Sequence, residues 1–157
     1  LRQGAEVIEL ACGGGYPITK VLRAAGLQIW AIDSSSTLVT EFKNRFPMVP
    51  VQCAKVQESD FFARTYDGVI AIGLIFLLSE PDQLTLISKI AKILKPGGKF
   101  LFTAPIQKCN WKDLNTGLES QSLGQTVYEE HLKKSGFKMV STYTDNGANN
   151  YYDAERI

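Results

Sequence analysis

Residues 9–17 read E-L-A-C-G-G-G-Y-P, a glycine-rich loop that joins an apolar run to a helical pattern. The short apolar run from Glu6 to Ala11 predicts a buried strand, and Pro17 to Ala25 carries apolar residues at helical spacing. Glycines allow a sharp backbone bend and let a ligand approach the main chain closely. We therefore predict a strand, a glycine loop and a helix, arranged as in the ligand sites of doubly wound sheets.

Beyond this loop, apolar runs of strand length alternate with helical patterns. Strands are predicted at Leu27–Ile32, Val49–Cys53, Tyr66–Ile72, Lys99–Ala104, Phe137–Tyr143 and Asn150–Ile157. Helices are predicted at Ser34–Arg45, at Pro81–Leu94 and within Ser120–Ser135, and a turn at Lys95–Gly98. The alternation predicts an α/β fold with a doubly wound sheet covered on both faces. The last two strands are separated by a short turn, so we expect them to be antiparallel.

The composition is that of a globular protein. The chain has 157 residues, of which 45% are hydrophobic and 21% charged. We predict one domain over residues 1–157. The 17 basic and 16 acidic residues leave a net charge of +1, so we expect neither a nucleic acid nor a membrane as partner. One histidine and three scattered cysteines do not suggest a metal site, and we predict none.

Two features bear on location and length. The longest apolar run, Val69–Leu78, is shorter than the roughly 20 residues that a membrane-spanning helix needs. No signal peptide is recognisable, so we predict a cytoplasmic protein. The sequence begins at Leu1 and reaches a predicted strand at Glu6. We therefore expect an N-terminal segment to be missing.

Asp33 stands at the carboxyl end of the second predicted strand, 20 positions after Gly13 (33 − 13 = 20). A carboxylate in this place accepts hydrogen bonds from ribose hydroxyls in nucleotide-binding sheets. The alternative is that Asp33 caps the helix that begins near Ser35. Because the glycine loop precedes it at this spacing, we favour the ribose-binding interpretation.

The loop also limits the kind of nucleotide. A dinucleotide fingerprint places a small residue three positions after its second glycine, Gly15, but Ile18 stands there. A nicotinamide-dependent reductase is therefore disfavoured. No Lys-Ser or Lys-Thr follows the glycines, which excludes a triphosphate-binding P-loop. The pattern indicates a nucleoside ligand without a pyrophosphate.

Four motifs in order resemble the class I S-adenosylmethionine-dependent methyltransferases. They are V-I-E-L-A-C-G-G-G (7–15), A-I-D (31–33), Y-D-G-V-I-A (66–71) and L-K-P-G-G-K-F-L-F (94–102). The resemblance implies seven strands in the order 3-2-1-4-5-7-6, with strand 7 antiparallel, and S-adenosylmethionine as cofactor. In this family, helices usually precede the first strand, and we expect them to be absent from this sequence.

The resemblance assigns cofactor-binding roles to Glu9, Ala11, Gly13, Gly15, Asp33, Ser34, Ile72 and Gly73. Glu9 corresponds to an acid near the methionyl end, and Asp33 to the ribose-binding acid. Many relatives carry an Asp after the third strand that binds the adenine amino group, but this chain has none there. We expect Lys55 and Val56 to hold the adenine through backbone groups instead.

The implied reaction is in-line methyl transfer to a small-molecule acceptor, with S-adenosylhomocysteine as product. The alternative is a noncatalytic partner subunit that keeps the cofactor pocket. Leu74–Leu78 corresponds to the segment at the substrate mouth, and the polar segment Ile106–Leu123 is a candidate active-site loop. Candidate acceptor-binding residues are Phe76, Trp111, Asp113, Asn149, Tyr151 and Tyr152. No catalytic residue is assigned, and His131 is expected on a solvated helix face.

Overall fold

A seven-stranded mixed sheet forms the centre of the computed structural model, which describes residues 1–157. Its strands are β1 (Glu6–Leu10), β2 (Gln28–Asp33), β3 (Val51–Cys53), β4 (Tyr66–Ala71), β5 (Leu94–Thr103), β8 (Phe137–Thr144) and β9 (Asn150–Arg156). They lie in the order β3-β2-β1-β4-β5-β9-β8. The first five are parallel, and β9 runs antiparallel to both β5 and β8. This confirms the predicted fold class and strand order.

Four α-helices cover the two faces of the sheet. They are α1 (Ile18–Ala24), α2 (Ser36–Arg45), α3 (Glu80–Ile93) and α4 (Gln125–Lys134). Side chains of β1 alternate between the faces, so Val7 joins a small apolar cluster that contains Phe42 of α2. Ile8 joins the larger cluster, to which α3 and α4 contribute. None of the helices combines the length and the hydrophobicity that crossing a membrane requires.

Serine side chains cap the starts of α2 and α3. The Ser35 side chain accepts a hydrogen bond from the N–H of Leu38 and caps α2. Ser79 accepts from the N–H of Asp82 in the same way, and Pro81 occupies the first turn of α3. The Ser35 cap starts α2 directly after the carboxyl end of β2, beside Asp33.

Two local predictions are wrong. Residues 106–123 were expected to be irregular, but they contain an antiparallel hairpin of β6 (Cys109–Lys112) and β7 (Glu119–Ser122). Along the chain, the hairpin lies between β5 and β8, and it forms a two-stranded sheet of its own. Lys95–Gly98 is not a separate turn but part of β5, whose register against β4 shifts there. Gly97 takes a positive φ of 80°, which accommodates this irregularity within the strand.

A buried hydrogen-bond network joins α3, α4 and the hairpin. The Gln83 side chain is fully buried, and its amide nitrogen donates to the carbonyl oxygens of Leu78 and Gln121. The Tyr128 hydroxyl donates to Oε1 of Gln83 at 2.6 Å and accepts from the N–H of Leu123 at 3.1 Å. Every polar atom of the two side chains is therefore paired, which holds the hairpin against the helices.

We expect Tyr128→Phe to lower the free energy of unfolding by about 1–3 kcal/mol, because it leaves two buried polar groups without a partner. Urea denaturation followed by circular dichroism measures the change. The control is Tyr143→Phe, since the Tyr143 ring is half-exposed and its hydroxyl has no hydrogen bond within the chain. This control should change stability by less than about 0.5 kcal/mol. Equal effects of the two substitutions would contradict the proposed importance of the network.

Candidate functional site

The glycine loop and Asp33 meet at the carboxyl ends of β1 and β2. The backbone N–H of Gly13 donates to Oδ2 of Asp33 at 2.9 Å, and the N–H of Ser35 donates to Oδ1 at 2.9 Å. Ala11 and Gly13 both have positive φ values, 58° and 57°, which turn the chain sharply after β1. The sequence prediction brought these residues together by spacing alone. The carboxylate does not cap α2, as the alternative interpretation suggested; it accepts from the N–H of Ser35, whose own side chain is the cap.

The two ends of the loop have different surroundings. A Cβ added at Gly13 would meet no atom within 4 Å, so this glycine faces open space. A Cβ at Gly15 would lie 2.5 Å from the ring of Phe46, at the end of α2. Gly15 therefore allows close packing of the loop against α2, and Gly13 presents bare backbone to a ligand.

A cavity of about 550 Å³, which we call the β1–β2 cavity, opens beside the Gly13–Asp33 hydrogen bond. It lies at the carboxyl ends of the parallel strands, where open α/β sheets bind ligands. The predicted cofactor residues that line it are Ala11, Gly13, Asp33, Ser34, Lys55, Val56 and Gly73. Glu9 is buried, Gly15 packs against α2 and Ile72 is half-buried, and none of these three lines the cavity.

Much of the cavity wall was not predicted as cofactor-binding. Leu38 of α2 contributes to it, together with Leu74, Leu77 and Leu78, which sequence analysis placed at the substrate mouth. Thr116 and Leu118, from the turn of the hairpin, also line the cavity. The only sequence signal for these two was their position in a long polar segment after a strand. The wall therefore combines a carboxylate and backbone groups with an apolar surface.

Lys89 of α3 donates hydrogen bonds to the loop that follows β3. The Lys89 ammonium lies 3.3 Å from the carbonyl oxygen of Val56, 3.4 Å from that of Gln57 and 3.2 Å from that of Ser59. The N–H groups of Lys55 and Val56 have no hydrogen-bond partner within the chain. These two donors are therefore available to a ligand in the β1–β2 cavity.

Glu9 is a buried carboxyl at the carboxyl end of β1. Its side chain is 3% exposed and accepts a hydrogen bond from the hydroxyl of Thr19, which is itself buried. Burial raises the pKa of Glu9 to about 7; the Thr19 hydrogen bond opposes this, and the nearby Asp33 charge adds to it. Burial likewise raises the pKa of the neighbouring Cys12 thiol, which fits a small buried residue better than a reactive one.

A second cavity, of about 460 Å³, lies at the carboxyl end of β5 and the start of β9. We call it the β5–β9 cavity. Three predicted acceptor-binding residues, Phe76, Trp111 and Asn149, line it. The Phe76 and Trp111 rings are in contact, with centroids 5.4 Å apart. The hairpin thus lines one cavity with Trp111 and the other with Thr116 and Leu118.

The other acceptor candidates do not line either cavity. The Asp113 carboxylate accepts from the N–H and the hydroxyl of Thr116 and so closes the hairpin turn, and these bonds lower its pKa. The Tyr151 hydroxyl donates to Asp145, and its ring stacks on Tyr143. Tyr152 is fully buried, and its ring stacks on Phe102 at 4.8 Å.

The expectation that His131 lies on a solvated face is wrong. Its Nε2 lies 2.9 Å from the carbonyl oxygen of Leu84 and 3.2 Å from Oγ of Ser88. The ring therefore packs between α4 and α3, because the helices approach each other closely at this point. Its position in this contact gives it a structural role, away from both cavities.

Comparison with known proteins agrees with this geometry. The chain matches the family described as "Methyltransferase domain" over residues 7–98. It is 22% identical over 107 residues to the tRNA U34 carboxymethyltransferase of Idiomarina loihiensis. The aligned region covers 62% of this chain and 32% of that protein. It is 28% identical over 105 residues to the ubiquinone biosynthesis O-methyltransferase of Coxiella burnetii, covering 64% and 44%. The chain thus spans less than half the length of these relatives.

Among solved structures, the 1,6-didemethyltoxoflavin-N1-methyltransferase of Burkholderia thailandensis has the same fold. The TM-score is 0.80 at 18% identity, and the alignment covers 98% of this chain and 72% of that one. That structure contains 1,6-didemethyltoxoflavin and S-adenosylhomocysteine. Since the family match takes in β1 to β4 and the glycine loop, the chain belongs to the class I S-adenosylmethionine-dependent methyltransferases.

The pKa of Glu9 leads to a prediction about stability. Its folded-state pKa, about 7, exceeds the ordinary value of 4.5, so the folded protein holds this proton more tightly than the unfolded chain. The free energy of unfolding should therefore fall as pH rises from 4.5 to about 7, relative to Glu9→Gln, by about 3 kcal/mol in total. Urea denaturation at a series of pH values measures the difference.

Glu130→Gln, on the exposed surface of α4, is the control for loss of a negative charge. The stability difference between the wild type and Glu9→Gln should level off above pH 7. A difference that stays constant over the whole range would show that burial does not shift the titration of Glu9.

Proposed function

We propose that this protein transfers a methyl group from S-adenosylmethionine to a small-molecule acceptor. The observation that carries the proposal is the hydrogen bond from Gly13 to Asp33 at the edge of the β1–β2 cavity, in a chain of this family. When bound, S-adenosylmethionine supplies a methyl group on a positively charged sulfur: a nucleophile in line with the S–C bond would bond to the methyl carbon, and the electron pair of the broken S–C bond would stay on sulfur.

In this proposal Asp33 holds the ribose. Each carboxylate oxygen already accepts one backbone N–H, from Gly13 or Ser35, which fixes the orientation of the side chain. A carboxylate has about four lone-pair sites, so two remain for a pair of hydroxyls. Asp33 is part of the cavity wall, next to Ser34, so these sites are accessible from the cavity.

The adenine is assigned to the loop after β3. The free N–H groups of Lys55 and Val56 can donate to a ring nitrogen, and Leu38 and Leu77 offer apolar surface in the same cavity. In this proposal these groups take the place of the carboxylate that many relatives have after the third strand. Lys89 stabilises the loop by binding three of its carbonyl groups.

The methionyl end is assigned to the region between Glu9 and the start of the segment after β4. Ala11 and Gly73 line the cavity on this side, and Ile72 and the tightly packed Gly15 support it from outside. Glu9 lies at the end of β1 with a pKa of about 7. A cationic ammonium group nearby favours the ionised carboxylate, so cofactor binding should release a proton from Glu9.

The acceptor is assigned to the β5–β9 cavity. The N–H of Gly73, which lines the β1–β2 cavity, donates to Oγ1 of Thr103, which lines the β5–β9 cavity, at 2.8 Å. The two cavities therefore adjoin at this hydrogen bond. Two ligands bound side by side would have their reacting groups near it, and orientation of this kind supplies much of the rate in group transfer.

We expect Asp33→Ala to weaken the binding of S-adenosylmethionine and S-adenosylhomocysteine by roughly tenfold to a hundredfold, since it removes charge-assisted hydrogen bonds worth about 1.5–3 kcal/mol. Titration calorimetry measures both affinities, with NADH as a ligand that should give little response. The control is Asp60→Ala, which also removes a carboxylate bonded to a backbone N–H, that of Phe62, outside the cavity. Unchanged affinity in Asp33→Ala would leave Asp33 with a structural role only, that of binding the N–H groups of Gly13 and Ser35.

Transfer itself is tested with S-adenosylmethionine labelled in the methyl group. The protein is incubated with cell extract separated by ultrafiltration into a small-molecule and a macromolecular fraction. We expect the label in the small-molecule fraction, and much less of it with Asp33→Ala. Label in RNA or protein would contradict the choice of acceptor class. Tight cofactor binding without transfer to either fraction would favour the noncatalytic alternative.

A further inference from the structure

The β5–β9 cavity differs from the β1–β2 cavity in its charge. It is lined by 12 residues, none of which is Asp, Glu, Lys, Arg or His. The β1–β2 cavity, by contrast, includes Asp33 and Lys55. A charged group that is buried without a partner pays a large desolvation cost. The lining of the β5–β9 cavity therefore disfavours a carboxylate, a phosphate or an ammonium group.

The groups that do line this cavity suit a flat, uncharged molecule. Phe76 and Trp111 are in contact at an interplanar angle of 44° and present aromatic surface. Asn149 and Gln107 add neutral amides. Thr103 accepts from Gly73 and donates to no group within the chain, so its hydroxyl proton is free to bond to a ligand.

From this lining we infer that the methyl acceptor is an uncharged, planar aromatic molecule that packs on Phe76 and Trp111. The inference rests on the proposed function, because it names the acceptor class for the same reaction. The lining also has no carboxylate, imidazole or amine to take up a proton. The reacting atom therefore presents a free lone pair, which forms the bond to the methyl carbon, and any surplus proton at that atom passes to water.

The test compares four ligands on one scaffold: 2-naphthol, 2-naphthoate, 2-naphthylmethylamine and the saturated alcohol decahydro-2-naphthol. Each is titrated at neutral pH into protein saturated with S-adenosylhomocysteine and followed by ligand-observed NMR, so no turnover is needed. We expect 2-naphthol to bind best. The anion and the cation should bind weaker by about tenfold or more, and the saturated alcohol should also bind weaker because it cannot stack.

Trp111→Leu tests the location of binding. It removes aromatic surface from the cavity and should reduce the affinity for 2-naphthol several-fold. The matched control is Trp30→Leu, because Trp30 packs beside Tyr66 and Arg64 and lies outside both cavities. The affinity of each variant for S-adenosylhomocysteine shows whether the fold is intact.

The outcomes separate the inference from the proposed function. If S-adenosylhomocysteine does not bind the wild type, the proposed function fails and the inference fails with it. If it binds, but 2-naphthoate or 2-naphthylmethylamine binds as tightly as 2-naphthol, the acceptor class is wrong while the cofactor assignment stands. Equal binding of the saturated alcohol, or equal loss in Trp30→Leu and Trp111→Leu, would overturn the role of the aromatic pair.

Discussion

The hydrogen bond from the Gly13 N–H to the Asp33 carboxylate ties together the ends of two adjacent parallel strands. Because β1 and β2 are paired along their length, from Glu6 opposite Gln28 onwards, their carboxyl ends emerge side by side. A residue with a side chain would be strained at the positive φ of Gly13, and a neutral side chain at position 33 would accept less strongly. This contact fixes the edge of the β1–β2 cavity that Gly13 and Asp33 line.

The hairpin of β6 and β7 contributes wall residues to both cavities. It is held by the buried Gln83–Tyr128 network on one side and by the Phe76–Trp111 contact on the other. Its first strand carries Trp111 to the β5–β9 cavity, and its turn carries residues to the β1–β2 cavity. One short element therefore lines both places where ligands are proposed to bind.

The sequence predicts most of the sheet and the first cavity, because apolar strands, glycines and capping residues act locally. The spacing of Gly13 and Asp33 along the chain predicted that they lie together, and in the structure the Gly13 nitrogen is 2.9 Å from Oδ2 of Asp33. The hairpin was missed because each of its strands is only four residues long and β7, E-S-Q-S, contains no apolar residue. Gln83 and His131 were missed because a polar residue beside an apolar stripe is usually exposed, whereas here both form hydrogen bonds in the contact between α3 and α4. Asp113 and Tyr151 form hydrogen bonds with nearby residues instead, Thr116 and Asp145. A sequence pattern does not distinguish such local bonds from contacts with a ligand.

The order of strands in the sheet has a consequence for how the chain folds. β9 is the last strand along the chain, yet it lies between β5 and β8 in the interior of the sheet. Until residues 150–156 have left the ribosome, β5 has an unpaired edge and β8 has no neighbour to pair with. The rings of Phe102 and Tyr152 stack across the pair of strands that β9 forms with β5. Completion of the sheet therefore waits until β9 has been synthesised, and a nascent chain without β9 exposes a strand edge that invites association with other chains.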